Sequence, residues 1–335
     1  MRATLALPAL ALFALVALVS CDPDASRRMQ FGNASLVHAQ SAAMQIDESQ
    51  LRTDVEALHQ AHQSEIPEMP IWGQGKPHTH HLSAQYVQQR FAALGFTPIV
   101  EHSDDDGLDV DNVYVEIRGE TAPNEIVIVS AHHDAWWQSG ADDNGSGVAV
   151  VLEGARILRD SHPARTIRFI AFDREEEGLI GANRYLAAHV NDRVTMIINM
   201  DCVGFASDAP NSQRAPLGLG LRNVGNFLLA AADEPAADAL SQMVRFSASS
   251  DQLASVVGIV APDDAHYPVD SSFLRSDHAP FWRDGVSGIF LTDTANFRNA
   301  NYHTAGDLPD TVNYEFLTRV ARLVVGSAAA FAEVE

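Results

Sequence analysis

The chain has 335 residues, 46% hydrophobic and 20% charged, enough to bury one large core in one or two domains. Acidic residues outnumber basic ones 44 to 22, the formal net charge is −22, and Lys76 is the single lysine. Such a surface argues against nucleic acid or anionic membrane as the main partner and is compatible with a substrate carrying a positive amine.

Residues 1–20 read as an export signal. Arg2 supplies a positive start, and residues 5–19 form an apolar stretch too short to span a bilayer comfortably. The stretch ends Leu18-Val19-Ser20-Cys21, similar to the bacterial lipobox, whose cysteine is lipidated. The expectation is an exported lipoprotein in a bacterial envelope, periplasm-facing, touching membrane only through an anchor at Cys21. An ordinary signal peptide with a chance cysteine is the alternative. Cys202 then has no partner, so no disulfide framework is expected.

Residues 21–45 look polar and aperiodic and read as a flexible tether, leaving 46–335 as one domain. Asp47 caps a helix carrying Leu51, Val55 and Leu58. A Pro- and Gly-rich stretch, 67–77, interrupts the pattern. His78, His80 and His81 either bind stray metal or, the preferred reading, begin on the surface the next helix, which carries Val87, Phe91 and Leu94 and stops at Gly95. Residues 113–117 alternate like a half-exposed strand, and 126–129 form a continuous β-branched run typical of a buried one. Helix pattern follows at 147–158, strand at 166–172, helix at 179–188, strands at 196–200 and 286–291, and helix at 314–331. Strands separated by helix-length segments predict a mostly parallel sheet covered on both faces.

In such sheets ligands bind outside the carboxyl ends of the strands. The run 126–129 is followed by Ser130-Ala131-His132-His133-Asp134, and 196–200 by Asp201. After 166–172 comes Asp173-Arg174-Glu175-Glu176-Glu177-Gly178-Leu179. Three strands thus deliver His, Glu and Asp to one edge. Asp143 and His303 are further candidates on loops. Nitrogen and carboxylate donors without thiolate suit zinc in an open, catalytic site. Two histidines and three carboxylates suffice for two Zn2+ if one carboxylate bridges, as in hydrolases whose ions lie about 3.5–4 Å apart. In an extended loop Glu176 can ligate while Glu175 faces a water as general base. Each element alone is more often structural, a glutamate run being usually a solvated helix start. Their order, each at a strand end, is what raises them above that reading.

The stretches Ala131-His132-His133-Asp134, Gly140-Ala141-Asp142-Asp143-Asn144, Glu175-Glu176-Glu177-Gly178-Leu179, Asn199-Met200-Asp201, Ser276-Asp277-His278 and Tyr302-His303 carry a resemblance. With them the sequence resembles the co-catalytic zinc aminopeptidases of the bacterial leucyl aminopeptidase type, related to glutamate carboxypeptidase and glutaminyl cyclase. The resemblance implies an α/β fold, a three-layer α/β/α sandwich with a mostly parallel mixed sheet. It implies that His132 and Asp201 bind one zinc, Glu176 and His303 the other, and that Asp143 bridges them. Asp134 is expected to hold the His132 imidazole, Glu175 to be the base, and Tyr302 to donate to the developing oxyanion. Asp277 and His278 are expected to support the site without catalysis. Ile71-Trp72-Gly73-Gln74-Gly75-Lys76-Pro77 departs from the Arg- and Gly-rich stretch of many relatives, so the pocket wall is expected to differ. Trp136 and Trp137 either line the entrance or pack, and Cys202 reads as a buried, inert thiol.

The expected activity is that of a monomeric exopeptidase hydrolysing the N-terminal peptide bond of oligopeptides, with residues 46–335 as its catalytic domain. A preference for apolar first residues follows by analogy alone. Glutaminyl cyclases typically carry a tryptophan before the last histidine and lack the Gly-Leu pair, so Tyr302, Gly178 and Leu179 favour the peptidase. Carboxypeptidases of this fold carry an inserted domain before the first zinc motif, for which residues 82–131 leave no room. Non-enzymatic relatives lack ligands, and none is missing here.

Overall fold

A strand of consecutive apolar residues needs cover on both faces, and Ile126-Val127-Ile128-Val129 has it. In the computed structural model, which describes residues 33–66, 68, 78–104, 107–136, 139–214, 220–261 and 272–335, this run lies centrally in an eight-stranded sheet. The export signal, Cys21, the 71–77 stretch and Trp137 fall outside the described residues. A two-stranded ribbon, β1 (His78–Thr79) with β5 (Ala135–Trp136), stands apart. The sheet comprises β2 (Ile99–Ser103), β3 (Val110–Ile117), β4 (Ala122–His132), β6 (Arg165–Phe172), β7 (Arg193–Met200), β8 (Leu228–Ala232), β9 (Val256–Val260) and β10 (Gly288–Thr292). Their spatial order is β2-β3-β6-β4-β7-β10-β8-β9. The central four, β6, β4, β7 and β10, run parallel, while β2, β3 and β8 pair antiparallel with their inner neighbours.

Successive side chains divide between the faces. Val127, Val129 and Phe169 join a large core with α1 (Asn33–Ala43), α2 (Glu48–Ser64), α3 (His81–Ala93), α4 (Gly147–Leu158), α6 (Ala237–Ser247) and α8 (Tyr314–Phe331). Ile128, Ile170 and Phe172 join a smaller core on the other face with α5 (Ile180–Ala188) and α7 (His278–Arg283). The fold is the expected three-layer α/β/α sandwich with a mixed, mostly parallel sheet.

Local chemistry sets several boundaries as the sequence predicts. The Asp47 carboxylate accepts from the Ser49 backbone N–H at 2.9 Å and starts α2, whose Leu51, Val55 and Leu58 are fully buried. At the end of α3 the chain turns at Gly95 with φ +90°, and Phe96 N–H returns to Phe91 O at 3.1 Å.

Two expectations need correction. The segment read as a tether is helical over Asn33–Ala43, and Ala39 and Ala43 are fully buried. It packs through small side chains, which is why it looked aperiodic. The strand read as half-exposed is buried along most of its length, because Tyr114 on its outer face packs edge-on against Tyr185 of α5.

The crossing of α1 over α8 depends on Gly326, where a Cβ would stand 2.6 Å from Phe246 Cε1 and 3.1 Å from the Ala39 carbonyl oxygen. Gly326→Val should overpack this crossing and destabilise the protein by about 1–3 kcal/mol. Chemical denaturation measures the loss, and an unchanged midpoint would show that the crossing does not depend on a glycine at 326.

Candidate metal centre

The parallel strands β6, β4 and β7 end side by side. His132 is the last residue of β4 and stands opposite Phe172 of β6, while Asn199 of β7 stands opposite Ser130. Residues 173–177 and Asp201 therefore emerge beside His132. Ser130 Oγ donates to Asn199 Oδ1 at 2.8 Å, and Asn199 Nδ2 donates to Ser276 Oγ at 2.9 Å, tying the three motif segments together.

All five expected ligands converge. His132 Nε2 lies 3.3 Å from Asp143 Oδ1 and 3.8 Å from Asp201 Oδ2, and His303 Nε2 lies 3.0 Å from both Asp143 Oδ2 and Glu176 Oε2. Two sets of donor atoms result, each within 4.8 Å: His132, Glu175 and Asp201 in one, Asp143, Glu176 and His303 in the other. Asp143 thus turns one oxygen to each histidine. A third set, Asp143, Asp201 and Cys202, overlaps these.

The buried atoms His132 Nε2, Asp143 Oδ2 and Glu176 Oε1 have no hydrogen-bond partner among the described residues. Leaving such atoms unsatisfied is costly, and a divalent cation would satisfy them. The charges agree. Burial, then the charges of Asp201, Glu176 and Asp277, push the Glu175 carboxyl well up despite the nearby His132. Burial and Asp143 push Glu176 up as well. Asp143 goes the other way: burial opposes its charge, but the His132 and His303 imidazoles hold it well below the usual carboxylate range. Two imidazoles among crowded carboxylates form a donor set that fits zinc.

Two aspartates fix the backbone behind these donors. Asp134 is fully buried and accepts from the Glu175 and Glu176 N–H groups at 3.0 and 3.1 Å, one on each oxygen. Asp307 does the same for Asp142 and Asp143, at 3.0 Å each. The expected link from Asp134 to His132 is chiefly through the main chain, the imidazole Nδ1 lying 3.0 Å from the Asp134 carbonyl oxygen and 3.4 Å from its carboxylate. The Glu175-Glu176 segment is not the extended loop expected. It is a turn, with φ +50° at Arg174 and with the Gly178 and Leu179 N–H groups returning to Glu175 O.

Sequence reasoning missed Asp307 and two arginines. Arg174 is buried beside the acid pair and donates to Asp109, Glu68 and Glu177. A lone arginine at the head of a glutamate run was the available signal. Arg275 Nη2 donates to the Tyr302 hydroxyl at 3.0 Å, and the Tyr302 ring stacks on His303 with centroids 3.8 Å apart. Trp136 meets the His303 ring edge-on at 5.4 Å, so it packs on a proposed ligand. Cys202 is buried, and burial with Asp143 and Asp201 pushes its thiol well up, consistent with an inert group. Asp277 is buried with neither carboxylate oxygen hydrogen-bonded among the described residues.

His80 does not lie on the surface. It is fully buried, with Nδ1 3.0 Å from Asp173 Oδ2 and Nε2 3.5 Å from Glu68 Oε2. Burial and the Arg174 guanidinium, 3.0 Å from Nε2, lower its pKa, but the Asp173 and Glu68 carboxylates outweigh them and raise it from 6.5 to about 9.

Residues 112–328 match the model of Peptidase family M28. The chain is 27% identical over 259 residues to uncharacterized protein YfbL of Escherichia coli, covering 72% of this chain and 78% of the relative. It is 30% identical over 235 residues to a probable leucine aminopeptidase of Trichophyton verrucosum, covering 64% of this chain and 54% of the relative. The chain thus spans about half the length of this and other fungal relatives. LapA aminopeptidase of Legionella pneumophila shares the fold, with a TM-score of 0.68 at 18% identity over 98% of this chain and 80% of that one.

The His80 pair makes stability depend on pH. Because its folded-state pKa lies above the free value of 6.5, protonated His80 stabilises the fold fully below about pH 6.5, and the contribution fades as pH rises through about 9. Denaturant unfolding across that window should lose up to about 3 kcal/mol, and His80→Gln should flatten the slope. An equally steep slope in the variant would assign the loss elsewhere.

Proposed function

Since the chain belongs to peptidase family M28 and so is a zinc metallopeptidase, we propose that it is an aminopeptidase removing single residues from the amino ends of oligopeptides. The two-sided carboxylate of Asp143 carries the reading, with Oδ1 3.3 Å from His132 and Oδ2 3.0 Å from His303. On this reading His132 and Asp201 hold one Zn2+, Glu176 and His303 hold a second, and Asp143 is shared. Bound there, the two ions would supply Lewis acidity, polarising the scissile carbonyl and acidifying a water.

The remaining steps belong to side chains. Glu175 Oε2 lies 3.9 Å from His132 Nε2, beside the shared space. Its carboxylate takes a proton from the attacking water and passes it to the leaving amine, and its raised proton affinity runs in the direction this task requires. The Tyr302 hydroxyl accepts from Arg275, which leaves its own proton for the carbonyl oxygen as negative charge develops there. Stacking on His303 holds that hydroxyl beside the metal donors. The crowded carboxylates attract the protonated amine of a peptide.

Amino-end rather than carboxyl-end specificity is favoured by the segment before the metal donors. Described residues from 82 to 131 hold only α3, β2, β3 and β4, with no inserted domain. Tyr302, where glutaminyl cyclases typically have tryptophan, favours hydrolysis over cyclisation.

We further propose that the chain is exported and anchored through Cys21, on the strength of the 1–21 pattern, and that it acts as a monomer. The described residues contain no helix long and apolar enough to cross a membrane. Mass spectrometry of the mature amino terminus should find acyl chains on Cys21, and an unmodified terminus would reject the anchor.

For the catalytic reading, zinc analysis should find two ions per chain, and leucyl-p-nitroanilide should be hydrolysed. Glu175→Gln should retain the zinc while kcat falls about 10²- to 10⁴-fold. Near-normal turnover would remove Glu175 from the base role, and activity confined to N-blocked substrates would reject an aminopeptidase.

A further inference from the structure

Two guanidinium groups at the Tyr302 side of the cluster have no role in the steps above beyond one hydrogen bond. Arg275 and Arg214 are both exposed and both bound to Asn296. Arg275 Nη1 donates to Asn296 Oδ1 at 2.9 Å, and Arg214 Nη2 donates to the Asn296 carbonyl oxygen at 3.0 Å. Arg275 also donates to the Tyr302 hydroxyl at 3.0 Å, so the pair sits one side chain from the ring stacked on His303.

Neither arginine forms an ion pair among the described residues, in a chain where acids outnumber bases 44 to 22. Arg156, Arg165, Arg168 and Arg174 by contrast each engage a carboxylate. Two cations gathered on one asparagine repel each other, and a bound anion would relieve that repulsion. The guanidinium fork has five donors and matches a carboxylate with two parallel hydrogen bonds. Among the described residues, Arg275 uses two of its donors, on Asn296 and Tyr302.

Resting on the aminopeptidase reading, we propose that Arg275, aided by Arg214, recognises a carboxylate on the peptide substrate. The Tyr302 hydroxyl marks the scissile carbonyl, and a peptide advances about 3.3–3.6 Å per residue. A carboxylate on the residue that carries this carbonyl, or on the next one or two, therefore comes within reach of Arg275. It is either the free carboxyl end of a short peptide or the side chain of an acidic residue, and both present the same planar anion.

Two isosteric substrate pairs separate these sources: leucylglycine against leucylglycinamide, and glutamyl- against glutaminyl-p-nitroanilide. With the zinc-loaded full chain, the carboxylate member of one pair should have a kcat/KM about ten-fold or more higher, mainly through KM, as hydrogen bonds to charged groups do. The pair that shows it identifies the source. Arg275→Gln should bring that pair within about two-fold, Arg275→Lys should restore part of the preference, and Arg214→Gln, remote from Tyr302, should weaken it. Equal rates within both wild-type pairs would overturn the inference and leave the aminopeptidase standing. So would an Arg275→Gln variant slowed equally on both members, since the arginine would then act only through Tyr302. If none of the four compounds is cleaved by zinc-loaded protein, the aminopeptidase reading itself fails and the inference falls with it.

Discussion

Four carboxylates, Asp143, Glu175, Glu176 and Asp201, meet with two imidazoles in a space where the proposed donor atoms of each set lie within 4.8 Å. Like charges about 4 Å apart repel by about 4 kcal/mol at an effective dielectric of about 20. No flexible loop would hold such a cluster, so its backbone has to be fixed from behind. Asp134 and Asp307 do this in the same way, each fully ligating two consecutive N–H groups of the segment that carries the charged side chains. The parallel order β6-β4-β7 does the rest by delivering three of the segments to one edge. The sandwich is in this sense the device that makes the crowding tolerable, and bound cations would then complete it.

What could be read beforehand and what could not divide along a physical line. Helices α2, α4 and α8 and strands β4, β6 and β7 announce themselves because their apolar residues repeat at helix spacing or run continuously. His132, Glu176 and Asp201 were legible because each follows such a strand, whereas Asp143 and His303 stand on loops and were legible only through the motifs around them. Helix α1 was not, since alanines pack against Gly326 by close approach rather than by a large apolar stripe. Strand β8, Leu228–Ala232, is alanine-rich and reads locally as a helix former, yet it lies between β10 and β9 where pairing decides its state. Asp307 clamps a loop 164 residues away in sequence, and nothing in its neighbours signals that. The left-handed turn at Arg174, which replaced the expected extended loop, likewise depends on partners as distant as Glu68 and Asp109.

The distribution of positive charge shows how an acidic protein divides its few cations between structure and recognition. Behind the acid pair, Arg174 is buried and engages Glu68, Asp109 and Glu177, so its charge is spent on neighbours that belong to the fold. Beside Tyr302, the hydrogen bonds of Arg275 among the described residues go to neutral partners, an asparagine and a phenol. A guanidinium surrounded by carboxylates offers little to a ligand, because any anion must displace an existing pair. One hydrogen-bonded to neutral groups is positioned without being neutralised, and its field reaches the adjoining space. The same residue type therefore anchors the proposed metal-donor loop on one side and, on the proposed reading, is left for substrate on the other. For these two arginines the difference is whether the partner carries a charge.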